Sequence, residues 1–194
     1  MNPKEVYLSK PWLKFYSEGV PAEIDIPDIS VPELFDRVVE KYGSKAALIF
    51  YGKTISYREL KELVDRLATA LADLGVKKGD TVALYLLNSP QYVIAYFATL
   101  RFGAKVTPIS PVYTSIEVKH QIEDSEAKTV VCQDILFDNL EKAGVHPERV
   151  VLTSIDEYLP ALKKWFGKSA KAKAYVGRPT LSAEEIKKRG LYSF

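Results

Sequence analysis

The chain has 194 residues, 47% hydrophobic and 27% charged, with 27 Lys and Arg against 25 Asp and Glu, which excludes disordered and fibrous architectures. A chain of this length buries roughly 70% of its unfolded surface without disulfide staples. The lone Cys132 allows neither an internal disulfide nor a Cys-based zinc set, which suits a reducing cytoplasm.

Residues 1–29 carry several Pro and Gly and read as an extended N-terminal arm. The opening MNPKEVYLSKPW has no apolar signal core. Residues 30–78 read as a helix-hairpin-helix lead-in. Ser30/Glu33 and Ser56/Glu59 have the Ser-x-x-Glu spacing in which each side chain satisfies the other residue's free backbone N–H at a helix start. Leu34, Phe35, Val38, Val39 and Tyr42 then recur at helical spacing, as do Leu60, Leu63, Val64, Leu67, Leu71 and Leu74, and Gly43 and Gly75 supply the stops. Between them, two short apolar runs flank Tyr51-Gly52-Lys53, the pattern of a small hairpin.

Residues 79–160 change to apolar strands alternating with helices. The runs Thr81 to Leu87, Ala104 to Ser110, Lys128 to Gln133 and Arg149 to Ser154 are apolar throughout, as strands covered on both faces must be. The helix between the first two has Ser89 as N-cap, Pro90 at its first position and Gly103 beyond its end. A second helix runs from Ser115, after Thr114/Glu117, to about Asp124, and a third runs from Asp134 to near Gly144. This alternation predicts an α/β fold, a doubly wound, mostly parallel sheet with helices on both faces. Residues 161–194 read as a basic linker followed by a short helix from Ser182/Glu185.

The net charge of +2 hides an asymmetry: residues 1–160 hold 18 basic and 23 acidic groups, and residues 161–194 hold 9 and 2. Lys163, Lys164, Lys168, Lys171, Lys173 and Arg178 lie among Gly, Ala and Pro, the composition of a solvated excursion more than of a nucleic-acid interface. The longest apolar run, Tyr92 to Ala98, falls far short of the ~18 residues of a membrane span. Asn, Gln, Cys and Met together number 8 while Lys alone reaches 20, a bias found in thermophile proteins.

The residues yield no catalytic, cofactor-binding or metal constellation. The first strand end, Leu87-Asn88-Ser89-Pro90, lacks the G-x-G-x-x-G of a dinucleotide enzyme, and no phosphate-loop motif occurs. Asn88 could cap a strand end or touch a ligand, and capping is the simpler role. His120 and His146 are isolated from each other and from Cys132, which sits inside an apolar strand as a buried thiol. Glu123, Asp124 and Glu126 flank a helix end as solvated charges.

The stretch from Ile55 to Val131 resembles the opening third of adenylate-forming enzymes, in particular the long- and medium-chain acyl-CoA synthetases. The features that carry the likeness are Ser56-Tyr57-x-Glu59-Leu60, Leu74-Gly75-Val76-x-x-Gly79-Asp80, Asn88-Ser89-Pro90, Gly103-Ala104, Pro108 with Pro111, and Glu117 before Gln121. The resemblance extends to roughly residues 10–155. It implies a parent that uses ATP and Mg to convert a carboxylic (fatty) acid into an acyl-adenylate, releases pyrophosphate and passes the acyl group to coenzyme A. The motifs that do this work in the family, a Ser/Thr/Gly-rich phosphate loop ending in Pro-Lys-Gly, an aromatic-Gly-x-Thr-Glu segment, a Thr-Gly-Asp segment and a C-terminal lysine, do not occur in the chain. The expectation is therefore an N-terminal portion of such a ligase, cut before its phosphate loop and inactive alone, with no cofactor of its own. Its partner is the remainder of the enzyme, and apolar surface left uncovered predicts self-association, most simply as a homodimer. The alternative is a stand-alone α/β binding or interaction module without catalysis.

Overall fold

The computed structural model describes residues 2–160 and 181–194, so the basic cluster from Lys163 to Arg178 lies outside the described residues. Two compact units are present, Met1–Ser30 and Val31–Phe194. Within the first, Pro3–Leu8 forms helix α1 and Pro11–Phe15 a 3-10 turn, which corrects the expectation of a wholly extended arm. The cause is local. The Lys4 N–H donates to Asn2 Oδ1 at 3.0 Å, the Asn2 N–H donates to the Glu5 carboxylate at 3.1 Å, and Pro3 occupies a first-turn position that needs no donor.

The second unit opens with α2 (Val31–Tyr42), a hairpin of β1 (Ala46–Phe50) and β2 (Lys53–Ser56), and α3 (Tyr57–Asp73). The hairpin turn holds Tyr51 at φ 50° and Gly52 at φ 92°, the left-handed pair that matches the twist of the flanking strands. Next come β3 (Thr81–Tyr85), α4 (Pro90–Arg101), β4 (Lys105–Pro108), α5 (Ser115–Asp124), β5 (Thr129–Gln133), α6 (Asp134–Lys142) and β6 (Arg149–Thr153). A 3-10 turn at Ile155–Tyr158 follows, and α7 (Ala183–Lys188) and β7 (Tyr192–Ser193) close the order. The helix starts predicted at Ser56, Thr114 and Ser182 are all made with both reciprocal bonds.

The sheet has the order β4-β3-β5-β6-β7, parallel throughout. Four of its strands lie inside the predicted runs; β7 was not foreseen. The pleat sends alternate residues to opposite layers. Val82 and Leu84 of β3 join a core with Phe35 of α2, Leu60, Val64 and Leu71 of α3, and Ile94 and Ala98 of α4. Ala83 and Tyr85 join a second core with Val118 and Ile122 of α5 and Phe137 and Leu140 of α6. Helices therefore cover both faces, and the strands read as unbroken apolar runs because both sides are buried: every residue of β5 is buried. The lead-in and the parallel layers share the first of these cores.

An ion-pair cluster ties α2, α3 and α4 together outside the core. Arg101 donates to Asp36 at 2.6 Å and to Asp65 at 2.9 Å, while Lys61 lies 3.3 Å from Asp36 and 2.7 Å from Asp65. The Arg101 guanidinium is the main reason the Asp36 carboxyl is held below the usual aspartate range, against an opposing contribution from burial.

Candidate functional site at the carboxyl edge of the sheet

Ligands of open parallel sheets bind outside the carboxyl ends of the strands, where the strand order reverses. Here the chain passes from β3 to β4 on one side and then crosses back to β5 on the other, so the reversal lies between β3 and β5. Beyond these ends stand Asn88, Ser89 and Gln91 after β3 and Gln133 and Asp134 at the end of β5, with Thr153 and Ser154 alongside at the end of β6.

The edge is polar and closely packed. Gln91, fully buried in the first turn of α4, donates through Nε2 to the Ser154 carbonyl at 2.7 Å, and buried Gln133 donates to the Thr153 carbonyl at 3.3 Å. Among the described residues their amide oxygens, and the buried Ser89 hydroxyl, have no hydrogen-bond partner. A buried acceptor without a donor costs on the order of 1–3 kcal/mol, so the edge has hydrogen-bonding capacity that the described residues do not use. Ser89 does stand at the N-cap of α4, but its side chain makes no capping bond. Glu157 accepts from the Ser154 N–H at 3.0 Å and from Thr153 Oγ1 at 2.9 Å. Although the residue as a whole is exposed, burial of its carboxyl group pushes its pKa above the usual range, against the pull of those two bonds.

On the other flank, Asn139 of α6 donates through Nδ2 to the Tyr85 hydroxyl at 2.8 Å and to the Tyr113 carbonyl at 2.9 Å. Burial holds the Tyr85 phenol above its ordinary pKa. This bridge fastens the loop after β4, which carries the exposed Val112 and Tyr113 and leads into α5 with the exposed Ile116.

Helix N-termini attract phosphate because their first N–H groups are free, and at this edge the chain's own groups occupy them. Pro90 removes one donor from α4, and its Tyr92 N–H is bonded to the Ser89 carbonyl. Thr114 and Glu117 close α5, and the Ile135 N–H of α6 donates to Asp134 at 2.8 Å. The bonds from Thr114 hold the Glu117 carboxyl below its usual pKa. At α5 and α6 a triphosphate would meet carboxylates where it needs donors, so these residues do not fit ATP. Among the described residues no three His, Cys, Asp or Glu side chains group as a metal site.

The residues singled out from sequence do not converge. His120 is exposed on α5 and His146 in the loop before β6, and Asn88 is exposed at the β3 end. Glu123 pairs with Lys119 at 3.4 Å on the surface of α5. Cys132 is fully buried, and burial drives its thiol pKa strongly upward. Gln91, Gln133 and Glu157 were missed. The Ser154-x-x-Glu157 spacing was the available signal for the last of these.

A family profile described as AMP-binding enzyme matches residues 35–189. The chain is 38% identical over 161 residues to the long-chain-fatty-acid–CoA ligase of Yersinia pestis, covering 80% of this chain and 28% of that protein. It is 31% identical over 153 residues to the ligase of the same name from Bacillus subtilis, covering 78% and 27%. Among solved structures it resembles a long-chain-fatty-acid-CoA ligase from Archaeoglobus fulgidus with a TM-score of 0.63 and 35% identity, over 71% of this chain and 30% of that one. It therefore spans just over a quarter of the length of these curated relatives. No helix among the described residues is long and apolar enough to cross a membrane. With a doubly wound parallel sheet and a family match across most of its length, the chain belongs to the AMP-binding, adenylate-forming enzymes.

Proposed function

We propose that this chain is the first α/β portion of a cytoplasmic, ATP-dependent fatty acid:CoA ligase, supplying a scaffold wall and no catalytic group. The observation that carries the reading is the match to fatty-acid–CoA ligases over about four-fifths of the chain and little more than a quarter of the relatives. In the parent, ATP and Mg would be held by downstream residues, and coenzyme A would accept the acyl group. The role of these residues is to present a preformed edge. The unpartnered oxygens of Gln91 and Gln133 and the Ser89 hydroxyl await donors from the remainder of the enzyme, and the apolar Val112, Tyr113 and Ile116 await cover. The same uncovered surface would make the isolated chain self-associate.

The gene sequence past codon 194 tests this reading. A continuing frame that encodes a Ser/Thr/Gly-rich loop ending in Pro-Lys-Gly supports it, and a product that releases pyrophosphate only with a fatty acid present completes it. A stop codon at that point favours the stand-alone binding module instead.

A further inference from the structure

The loop between β4 and α5 is held along its whole length. Gln121 donates through Nε2 to the Pro108 carbonyl at 2.6 Å, and the Ile109 N–H donates to the Leu84 carbonyl at 2.9 Å. The Tyr113 N–H closes a turn on the Ser110 carbonyl at 3.1 Å, and the Thr114 N–H donates to Glu117 at 2.8 Å. Asn139 completes the set from α6: its Nδ2 gives its two protons to the Tyr85 hydroxyl and the Tyr113 carbonyl. Each of these bonds orders backbone against its conformational entropy.

What the ordered backbone presents is apolar and uncovered. Val112, at the centre of the turn, is 88% exposed, the highest value for a large hydrophobic among the described residues, and Ile116 is 78% exposed. A loop fixed at both ends whose tip buries nothing in its own fold is a preformed anchor, because the ordering that binding would otherwise require is already in place.

The chemistry of the surroundings selects a polypeptide partner. The pairing of Tyr85 with Cys132 sets the anchored loop next to Gln133, whose amide oxygen, like that of Gln91, has no partner among the described residues. The apolar interior of a lipid layer offers such oxygens no donors. A symmetric second copy covers the apolar tip but sets the same acceptors against themselves. A different stretch of chain brings backbone N–H groups together with apolar side chains, the mixed character of interfaces within one polypeptide. The chain spans just over a quarter of the curated relatives, and under the ligase reading, on which the inference rests, the remainder of the enzyme supplies that stretch.

We infer that Asn139 is a positioning residue, and that the loop it holds docks through Val112 and Ile116 onto the part of the parent enzyme that follows residue 194. Asn139 acts through the turn, by keeping the Tyr113 carbonyl in place.

The test compares melting midpoints of the 194-residue chain, diluted to monomer, with those of the full-length parent. Val112→Asp is expected to leave the midpoint of the chain in place, as at other exposed positions, and to lower that of the parent by about 2–4 °C. Asn139→Asp keeps the side-chain size but sets an oxygen that cannot donate against the Tyr113 carbonyl, which frees the loop. Beyond whatever shift it causes in the chain, it is expected to cause an extra shift in the parent, and that extra shift should vanish when Val112→Asp is already present. A merely structural role gives equal shifts in chain and parent, with or without Val112, and would overturn the assignment of Asn139. A parent indifferent to Val112→Asp would overturn the docking. Pyrophosphate release separates these outcomes from the ligase reading: a parent that shows the shifts but no fatty-acid-dependent release refutes the ligase and keeps the docking. A reading frame that stops at codon 194 would overturn both.

Discussion

Gln91 Nε2 sits 2.7 Å from the carbonyl oxygen of Ser154, a residue 63 positions later in the chain. This bond pins the first turn of α4 to the end of β6 across the end of β5, and so fixes the carboxyl edge as one surface. The alkyl part of Gln91 is fully buried as well. Gln91→Ala should therefore lower the free energy of unfolding by about 2–4 kcal/mol, combining a lost hydrogen bond, an unpaired carbonyl and a small cavity. Urea denaturation checks it, and a loss below about 0.5 kcal/mol would mean that the edge is not held this way.

The Arg101 cluster predicts an acid limb. Because the folded Asp36 pKa is depressed, its contribution is fully present above the unfolded aspartate value near ~3.9 and fades as pH falls through the folded value. Asp36 is 40% exposed, so solvent screening reduces the contribution to about 1 kcal/mol. Asp36→Asn should lose that amount at neutral pH and show a flatter decline below about pH 4, as read from urea midpoints across the pH range.

Cys132 predicts the opposite limb. Its folded pKa is raised by burial, so the folded state is favoured fully below the unfolded thiol value near ~8.5, and that advantage is lost progressively as pH rises beyond it. Cys132→Val should flatten the alkaline decline. The thiol should resist a disulfide reagent until the chain unfolds, and rapid labelling of the native protein would contradict its burial.

Gly52 carries the hairpin turn at φ 92°, with open space where a Cβ would stand. Strain alone then sets the cost of Gly52→Ala, about 1–2 kcal/mol, measurable as a lowered melting temperature.

These devices differ in how much of them a single sequence displays. Strands β3, β5 and β6 could be placed because a buried parallel strand is a continuous apolar run. The starts of α3 and α5 could be placed because Ser56 with Glu59, and Thr114 with Glu117, complete their bonds within one turn. The two-residue β7 is too short for any pattern to reveal. Helix α1 is hard to see because its box begins with Asn2 and not with Ser or Thr, and the 3-10 turn because Ser154 also ends the apolar run of β6. The polar edge is built from partners far apart in the chain, Gln91 with Ser154 and Gln133 with Thr153. Only folding brings those together, which is why the sequence yielded no site.

The composition that suggested a thermophile makes its own claim. With 8 Asn, Gln, Cys and Met residues against 20 Lys, the parent enzyme is expected to melt above the ~45–65 °C of mesophile domains. A scanning-calorimetry midpoint inside that band would contradict it.

Fatty-acid-dependent pyrophosphate release tests the central claim most directly, measured for the 194-residue chain alone and for residues 31–194 fused in place of the matching quarter of the Yersinia pestis ligase. The chain alone should release none above blank with ATP, Mg and coenzyme A present, and the fusion should release pyrophosphate in a fatty-acid-dependent manner. Turnover by the chain alone, or a fusion that melts cooperatively yet stays inactive, would contradict the account of these residues as the scaffold wall of an acyl-CoA ligase.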